Sequence, residues 1–162
     1  MSDLKEAIDV ACPRFYALHH AERFFTVHRR DRTPGMLTLR VDLSSLGLPG
    51  SSQALHEVRV THELTEDRGE KKLALSWDPA DKTVPRFSGA LTSAEKAPGL
   101  TTLTLQGTYT PPLGIAGKAF DLVVGRKVAA ATARALLEDI KQFVESDFET
   151  AKATNLASSP KE

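Results

Sequence analysis

His62 is the residue whose type and position in the sequence point most directly to acid–base chemistry. It alternates in period two with Val60 and Leu64, so a strand through this segment turns its ring to the apolar side. A partly buried imidazole can serve as an acid, a base or a polar anchor near neutral pH. The alternative interpretation is a histidine at the edge of the core, with its ring nitrogens satisfied by the backbone or by water.

Tyr109 is the second candidate for a catalytic or binding role. Its ring faces inward near the end of a predicted strand, and a buried phenol hydroxyl needs a hydrogen-bond partner. That partner is either the turn that follows, which begins Pro111-Pro112, or a bound substrate. His62 and Tyr109 are therefore the candidate catalytic residues, and the sequence alone assigns them no reaction.

The five histidines do not have the spacing of a metal site. His19 and His20 are adjacent, so their side chains diverge in regular structure. His56 and His62 share a face but lie about 20 Å apart on an extended strand. We therefore expect no bound metal.

The sequence also lacks the usual motifs of covalent catalysis and of cofactor binding. The sequence contains no Gly-x-Ser-x-Gly turn of the kind that carries a nucleophilic serine. Cys12 precedes Pro13 and has no identifiable base nearby, so we interpret it as a small buried apolar residue. The turn from Gly114 to Lys118 lacks the spacing of a phosphate-binding loop. We expect no cofactor.

Composition narrows the class of protein. A chain of 162 residues with 41% hydrophobic residues fits one domain with a proper core. Lys+Arg and Asp+Glu number 21 each, so no overall field attracts nucleic acid, and the basic cluster at 28–32 is expected to be a solvated surface. The charged N-terminus, the single cysteine and the lack of a run long enough to span a bilayer predict a cytoplasmic protein.

Period-two alternation predicts the strands that position these side chains. One strand is predicted over 37–43, followed by a Gly-, Ser- and Pro-rich loop at 44–53. Residues 57–65 and 71–77 are predicted to form an antiparallel hairpin that turns at Arg68-Gly69. This turn sets three pairs in register: Glu66 with Lys71, His62 with Leu75, and Val60 with Trp77.

A second hairpin is predicted with residues 94–99 as its connection. Pairing of like faces places Phe87 opposite Gly107 and Gly89 opposite Leu105. The inward-facing glycines and the small side chains at 129–135 have two interpretations. They frame a hollow for a ligand, or they allow helix and sheet to approach closely.

A helix of roughly 30 residues is predicted near 118–150 because the apolar period changes there. Its buried stripe is Ala129, Ala133, Leu136, Leu137, Ile140, Phe143 and Val144. The tail 153–162 lacks apolar content and is predicted to be disordered, so the predicted domain is 1–152.

The N-terminal region gives weaker signals. Residues 3–11 are predicted to begin a short helix, because Asp3 and Glu6 have the spacing of a capping box. Residues 15–30 show no clean period of either kind and receive no assignment.

Several hairpin strands followed by one long terminal helix resemble the helix-grip fold of the START-related superfamily, also called SRPBCC proteins. Residues 103–140 carry the resemblance, since a last strand ends there in a Tyr-x-Pro-Pro-x-Gly turn, here Tyr109 to Gly114, before the helix. The resemblance implies an α+β fold in which a curved antiparallel sheet packs around the C-terminal helix. The family usually has two short helices that close the cavity where this sequence has only 44–53, so that element is reduced, absent or moved to the N-terminal region.

The resemblance also implies a cavity for hydrophobic ligands such as lipids, sterols or polyketides. We expect a small hydrophobic molecule between the sheet and the C-terminal helix, in contact with Trp77, Phe87, Leu105, Tyr109, Phe120 and Ala133. Some members of the superfamily are cyclases or other enzymes, but no shared catalytic residue carries over. Two alternatives stay open: a cyclase- or dehydratase-type enzyme that uses His62 and Tyr109, and a protein-interaction module with a filled core.

Overall fold

The computed structural model describes residues 2–27, 36–42, 53–79, 86–110 and 118–158. These residues form six strands and two helices: β1 (Ser2–Val10), α1 (Arg14–Val27), β2 (Met36–Asp42), β3 (Gln53–Asp67), β4 (Glu70–Pro79), β5 (Arg86–Ala97), β6 (Leu100–Thr110) and α2 (Lys118–Ser158). The strands make one antiparallel sheet in the order β1-β6-β5-β4-β3-β2. The predicted α+β class is confirmed.

The sheet curves around the C-terminal helix. Helix α2 contacts both edge strands, β1 and β2. Those edges lie five strand spacings apart, roughly 24 Å on a flat sheet, whereas a helix with its side chains is only about 10–12 Å wide. A single helix reaches both edges because the sheet wraps around it, as the helix-grip prediction requires.

Helix α2 runs beside β1 and in the same direction. Arg134 Nε lies 3.0 Å from a carboxylate oxygen of Glu6, and Lys141 Nζ donates to the Asp9 carbonyl at 2.7 Å. The N-terminal half of α2 therefore lies toward the end of the sheet where Ser2 pairs with Tyr109. Helix α1 contacts β3, β4, β5, β6 and α2, and it covers the other end of the inner sheet face.

The hairpin of β3 and β4 has the predicted turn and register. Val60 pairs with Trp77, His62 with Leu75 and Glu66 with Lys71. Arg68 and Gly69 have positive φ angles of 52° and 79°, the left-handed pair that a tight two-residue hairpin turn requires.

The predicted register of the second hairpin is wrong by two residues. Phe87 pairs with Tyr109 and Gly89 with Gly107. The turn is tighter than predicted, since β5 continues to Ala97 and Gly99 takes a φ of 76°. A bulge between Glu95 and Ala97 absorbs one residue, so each strand keeps its inner face while the pairing shifts.

The N-terminal prediction of a helix over 3–11 is also wrong. This segment is the edge strand β1, which pairs with β6 along its whole length. Residues 15–30, which received no assignment, contain all of α1 except its first residue. A helical stripe is present there and packs into the core, namely Ala17, Leu18, Ala21, Phe24 and Phe25.

The predicted stripe of α2 is confirmed. Phe143 is half-buried. The other six members are at most 3% exposed, namely Ala129, Ala133, Leu136, Leu137, Ile140 and Val144. The helix extends to Ser158 and so includes residues 153–158 of the tail that was predicted to be disordered. Extending an existing helix adds one hydrogen bond per residue ordered, and this does not require an apolar face.

Several predicted features lie outside the described residues. These are most of the loop at 44–53, the basic cluster at 28–32, the Pro-Pro-Leu-Gly turn at 111–114 and the end of the tail at 159–162. The predicted strand at 37–43 is confirmed as β2 over the residues that are described.

Candidate functional site

Three aromatic side chains form a row across the inner face of the sheet. Trp77, Phe87 and Tyr109 are register neighbours on β4, β5 and β6, and none is more than 5% exposed. The rings of Trp77 and Phe87 stack with their centroids 4.4 Å apart and their planes at 23°. We call these three residues the aromatic row, and they give this end of the sheet a continuous apolar surface.

The glycine pair beside the aromatic row does not frame a hollow. Gly89 and Gly107 face each other on β5 and β6, and a Cβ atom on Gly89 would lie 2.6 Å from the Gly107 Cα. It would also lie 2.7 Å from Cζ of Phe87 and clash with the carbonyl oxygen of Gln106. The two backbones therefore approach closely, and the ring of Phe87 fills the space that side chains would take.

The other predicted ligand contacts share the same core. Leu105 and Ala133 are fully buried, Leu105 on β6 and Ala133 on α2. The side chain of Phe120 lies outside the described part of the chain. The structure thus places the described members of the predicted set in one cluster, and ligand contact by them stays a prediction.

His62 and Tyr109 do not lie side by side. His62 is half-buried on the inner face of β3 and stacks on Phe25 of α1, with ring centroids 5.8 Å apart and planes at 28°. Strands β3 and β6 are separated by three strand spacings, about 14 Å along the sheet. The two residues therefore do not form a hydrogen-bonded acid–base pair.

A histidine–aspartate contact between the helices was missed by sequence reasoning. His20 Nδ1 lies 2.5 Å from a carboxylate oxygen of Asp147 on α2, and Arg23 Nη1 lies 3.2 Å from the same oxygen. The ring of Tyr16 stacks on His20 at 3.7 Å. One signal was available, because Asp147 follows Val144 by three residues and so continues the buried stripe of α2 with a carboxylate.

Burial lowers the pKa of His20, although the hydrogen bond and charge of Asp147 oppose this shift. The imidazole is therefore neutral near pH 7, and its contact with Asp147 is a hydrogen bond from Nδ1–H to a carboxylate. Burial and the charge of Asp147 also raise the pKa of Tyr16. This cluster joins α1 to α2 through a neutral ring.

The free energy of unfolding is expected to fall as the pH drops from about 6.5 toward the folded-state pKa of His20. The unfolded chain binds the proton more readily, because the pKa of His20 is lower in the folded protein. His20→Gln removes this contribution, so the difference in stability between wild type and variant should narrow as the pH falls. Urea unfolding of both proteins at about pH 7.5 and about pH 5.5 measures this difference in the free energy of unfolding. His19→Gln, an exposed neighbour, controls for loss of an imidazole, and a difference independent of pH would contradict the prediction.

The turn from β1 to α1 is fastened to α2 by polar contacts. The Ala11 N–H donates to a Glu145 carboxylate oxygen at 3.1 Å, and Lys141 Nζ lies 2.7 Å from the same oxygen. The Cys12 carbonyl accepts a hydrogen bond of 2.7 Å from the hydroxyl of Thr101. These contacts explain why the charged side chains of Lys141 and Glu145 are half-buried.

Cys12 is buried in this turn. Burial raises the pKa of its thiol to about 11, and the nearby Glu145 carboxylate adds to the shift. The thiol therefore stays protonated near neutral pH and is a poor nucleophile. The structure agrees with the interpretation of Cys12 as a small apolar core residue.

Within the described residues, no three His, Cys, Asp or Glu side chains lie close enough together to hold a metal ion. No helix in this part of the chain is both long and apolar enough to span a lipid bilayer.

Comparisons with known proteins identify the fold. No protein-family model and no curated protein matches the sequence. Among solved structures, the chain is similar to the ZhuI aromatase/cyclase from Streptomyces sp. R1128, with 14% identity over 91% of this chain and 93% of that one and a TM-score of 0.53. A protein from Thermus thermophilus matches at 12% identity over 90% of this chain and 99% of that one, with a TM-score of 0.51.

A third similar structure is the di-domain aromatase/cyclase StfQ from the steffimycin biosynthetic pathway. It matches at 17% identity over 91% of this chain and 51% of that chain, with a TM-score of 0.51. At these identities the likeness concerns the fold. The chain has the helix-grip fold of START-related (SRPBCC) proteins, as residues 103–140 predicted.

Proposed function

We propose that the protein binds a small hydrophobic molecule, lipid-like or polyketide-like, between the aromatic row and the N-terminal half of α2. The aromatic row carries this proposal, because it gathers three large rings at one end of a concave sheet face. Binding sites for small molecules are lined mainly by apolar and aromatic side chains with a few polar groups. The hydroxyl of Tyr109 supplies such a polar group.

Small side chains on α2 support this location. The contact between Arg134 and Glu6 places the residues just before Arg134 toward the Tyr109 end of the sheet. Ala129 and Ala133 lie there on the buried stripe of the helix. Alanine side chains on this stripe leave more room between helix and sheet than leucines would.

Helix α1 bounds the proposed site at its other end. Phe24 contacts Phe143 of α2 with ring centroids 5.6 Å apart, and Phe25 stacks on His62 of β3. These contacts fill the space between sheet and α2 at the end away from the aromatic row. A ligand between sheet and helix is therefore expected on the Trp77 side of His62.

The single tryptophan gives a direct test, since Trp77 belongs to the aromatic row. A fluorescent fatty-acid analogue should quench Trp77 emission by energy transfer, and the quenching should saturate. Ala133→Leu adds methylenes where the apolar body of the ligand would lie. We expect it to weaken binding about tenfold while the melting temperature holds or rises.

Ala153→Leu on the exposed part of α2 is the matched control and should leave the affinity unchanged. A close-packed core gives the opposite pattern. Ala133→Leu would then overpack the core, destabilise the protein by about 1–3 kcal/mol, and the wild type would bind no probe. That pair of results would exclude the proposed site and leave the interaction module with a filled core.

A cyclase- or dehydratase-type enzyme is the second candidate, favoured by the likeness to aromatase/cyclases of the same fold. His62 and Tyr109 would be its acid–base groups. Their separation of about 14 Å along the sheet means that they would contact different parts of a long substrate. We place ligand binding first, because it requires no reaction at a single atom shared by both groups.

A further inference from the structure

A groove lies on the side of α1 that faces away from α2. Helix α1 contacts β3, β4 and β5. Between them is a cavity of about 300 Å³ lined by Arg14, Phe15, Leu18, His19, Leu64, Gly69, Lys71 and Ser93. We call this the α1 groove; it shares no residue with the aromatic row.

The apolar part of the α1 groove is unusually exposed. Phe15 is 81% exposed and Leu64 is 36% exposed, and these are the exposed large hydrophobic side chains of the described part of the chain. Both line the same cavity, with the buried Leu18 between them on the helix side. Exposed apolar side chains that gather in one concavity indicate a binding surface, whereas scattered ones need no explanation.

The polar part of the α1 groove is cationic. Arg14 is held in place by the Ser93 carbonyl, which accepts from its Nε at 3.0 Å, and by an ion pair with Glu70. Lys71 and His19 make no hydrogen bond or ion pair within the described part of the chain.

Among the described residues, no acidic side chain forms an ion pair with Lys71 or His19. Glu70 is already paired with Arg14, and Glu66 faces Lys71 in the hairpin register without forming an ion pair. No carboxylate lines the cavity itself. A lysine and a histidine beside an apolar wall therefore match a ligand with one negative charge and an apolar body.

We propose that the α1 groove binds a small monocarboxylate with an aliphatic or aromatic body. The carboxylate accepts hydrogen bonds from Lys71 Nζ and from the ring of His19. The apolar body lies on Phe15, Leu18 and Leu64. A cavity of about 300 Å³ is at the lower end of the range for small-molecule sites, which favours a compact ligand over a long lipid.

The test uses octanoate and its neutral analogue octanamide, followed through the backbone amide signals of the isotope-labelled protein. Octanoate should shift the signals of Gly69 and Ser93 saturably. Lys71→Gln should weaken octanoate at least about fivefold and leave octanamide unchanged. Phe15→Ser should weaken both probes, because it removes apolar contact.

Lys72→Gln is the matched control, because Lys72 is exposed on the opposite face of the same strand. Equal losses from Lys71→Gln and Lys72→Gln would overturn the proposal in favour of a general charge effect. Shifts centred on Gly89 and Gly107, or none that saturate, would also overturn it. So would a concentration-dependent dimer that Phe15→Ser abolishes, since a second copy of the chain would then occupy the groove.

This proposal stands apart from ligand binding at the aromatic row. Ala133→Leu changes the interior and should leave the octanoate shifts at Gly69 unaffected. Octanoate in the α1 groove accepts no energy from Trp77 and should leave its emission unaffected, and Lys71→Gln should leave the quenching by the fluorescent fatty-acid analogue unchanged. Failure at one site is therefore distinguishable from failure at the other.

Discussion

Replacing Gly89 with alanine is expected to lower the free energy of unfolding by about 3 kcal/mol or more. The added Cβ atom would clash with the carbonyl oxygen of Gln106 and lie 2.6 Å from the Gly107 Cα. Both atoms belong to the backbone of β6, so no side-chain rotation relieves the contact. The strands must separate, which breaks ladder hydrogen bonds around the Gly89–Gly107 pair of β5 and β6.

Urea unfolding of the variant measures the loss, and Gly69→Ala is the control. A Cβ on Gly69 meets no atom within 4 Å, and only the positive φ of 79° opposes it. That conformational cost is about 1 kcal/mol. Gly89 itself has no positive φ, so equal losses for the two variants would contradict the predicted clash at position 89.

Phe87 allows a second check of the same prediction. Its ring atom Cζ would lie 2.7 Å from the new Cβ, so a clash with the ring alone would disappear in a Phe87→Leu background. The backbone contacts would remain. We therefore expect Gly89→Ala to stay strongly destabilising in that background, and full rescue by Phe87→Leu would contradict the backbone explanation.

The turn and register of the β3–β4 hairpin could be predicted from sequence because the information that fixes them is local. A two-residue turn at Arg68-Gly69 fixes the register, and the alternation of Val60, His62 and Leu64 fixes the face. The α2 stripe was predictable for a similar reason, since its period repeats over many turns. In both elements a single physical preference decides the structure.

The second hairpin shows where local information ends. A connection over 94–99 and a tight turn at Pro98-Gly99 are both compatible with the alternation, and they differ by two residues in register. The bulge at Glu95–Ala97 decides between them, and the sequence does not mark it. This error also hid the aromatic row, because the predicted pairing placed Phe87 beside Gly107 and away from Tyr109.

Strand β1 was mistaken for a helix because of Glu6. An inward-facing carboxylate interrupts the alternation of Leu4, Ile8 and Val10, and with Asp3 it imitates a capping box. Arg134 of α2 compensates the burial of this carboxylate, because its Nε lies 3.0 Å from a Glu6 carboxylate oxygen. The partner is remote in sequence, so no window of neighbouring residues reveals it. The His20–Asp147 contact was missed for the same reason.

The candidate sites are predictable to different degrees. Alternation placed Trp77 and Tyr109 on the inner face, so the sequence predicted the type of surface at the proposed interior site. The α1 groove was not predicted, because residues 15–30 received no assignment. Phe15 is the cause: a large apolar side chain on the exposed side of α1 obscures the buried stripe.

Replacing Ile140 with alanine is expected to cost about 2–5 kcal/mol of stability, and Leu137→Ala a similar amount. Ile140 is fully buried and Leu137 is 1% exposed on the face of α2 that the sheet encloses. Each truncation removes apolar contact and leaves a cavity, because α2 is anchored near these residues by Lys141 and cannot move in to fill it.

Glu138→Ala, on the exposed face of the same turn, should change the free energy of unfolding by less than about 0.5 kcal/mol. Chemical denaturation of the three variants gives the comparison. Losses under about 0.5 kcal/mol for both Ile140→Ala and Leu137→Ala would mean that the sheet does not enclose this part of α2.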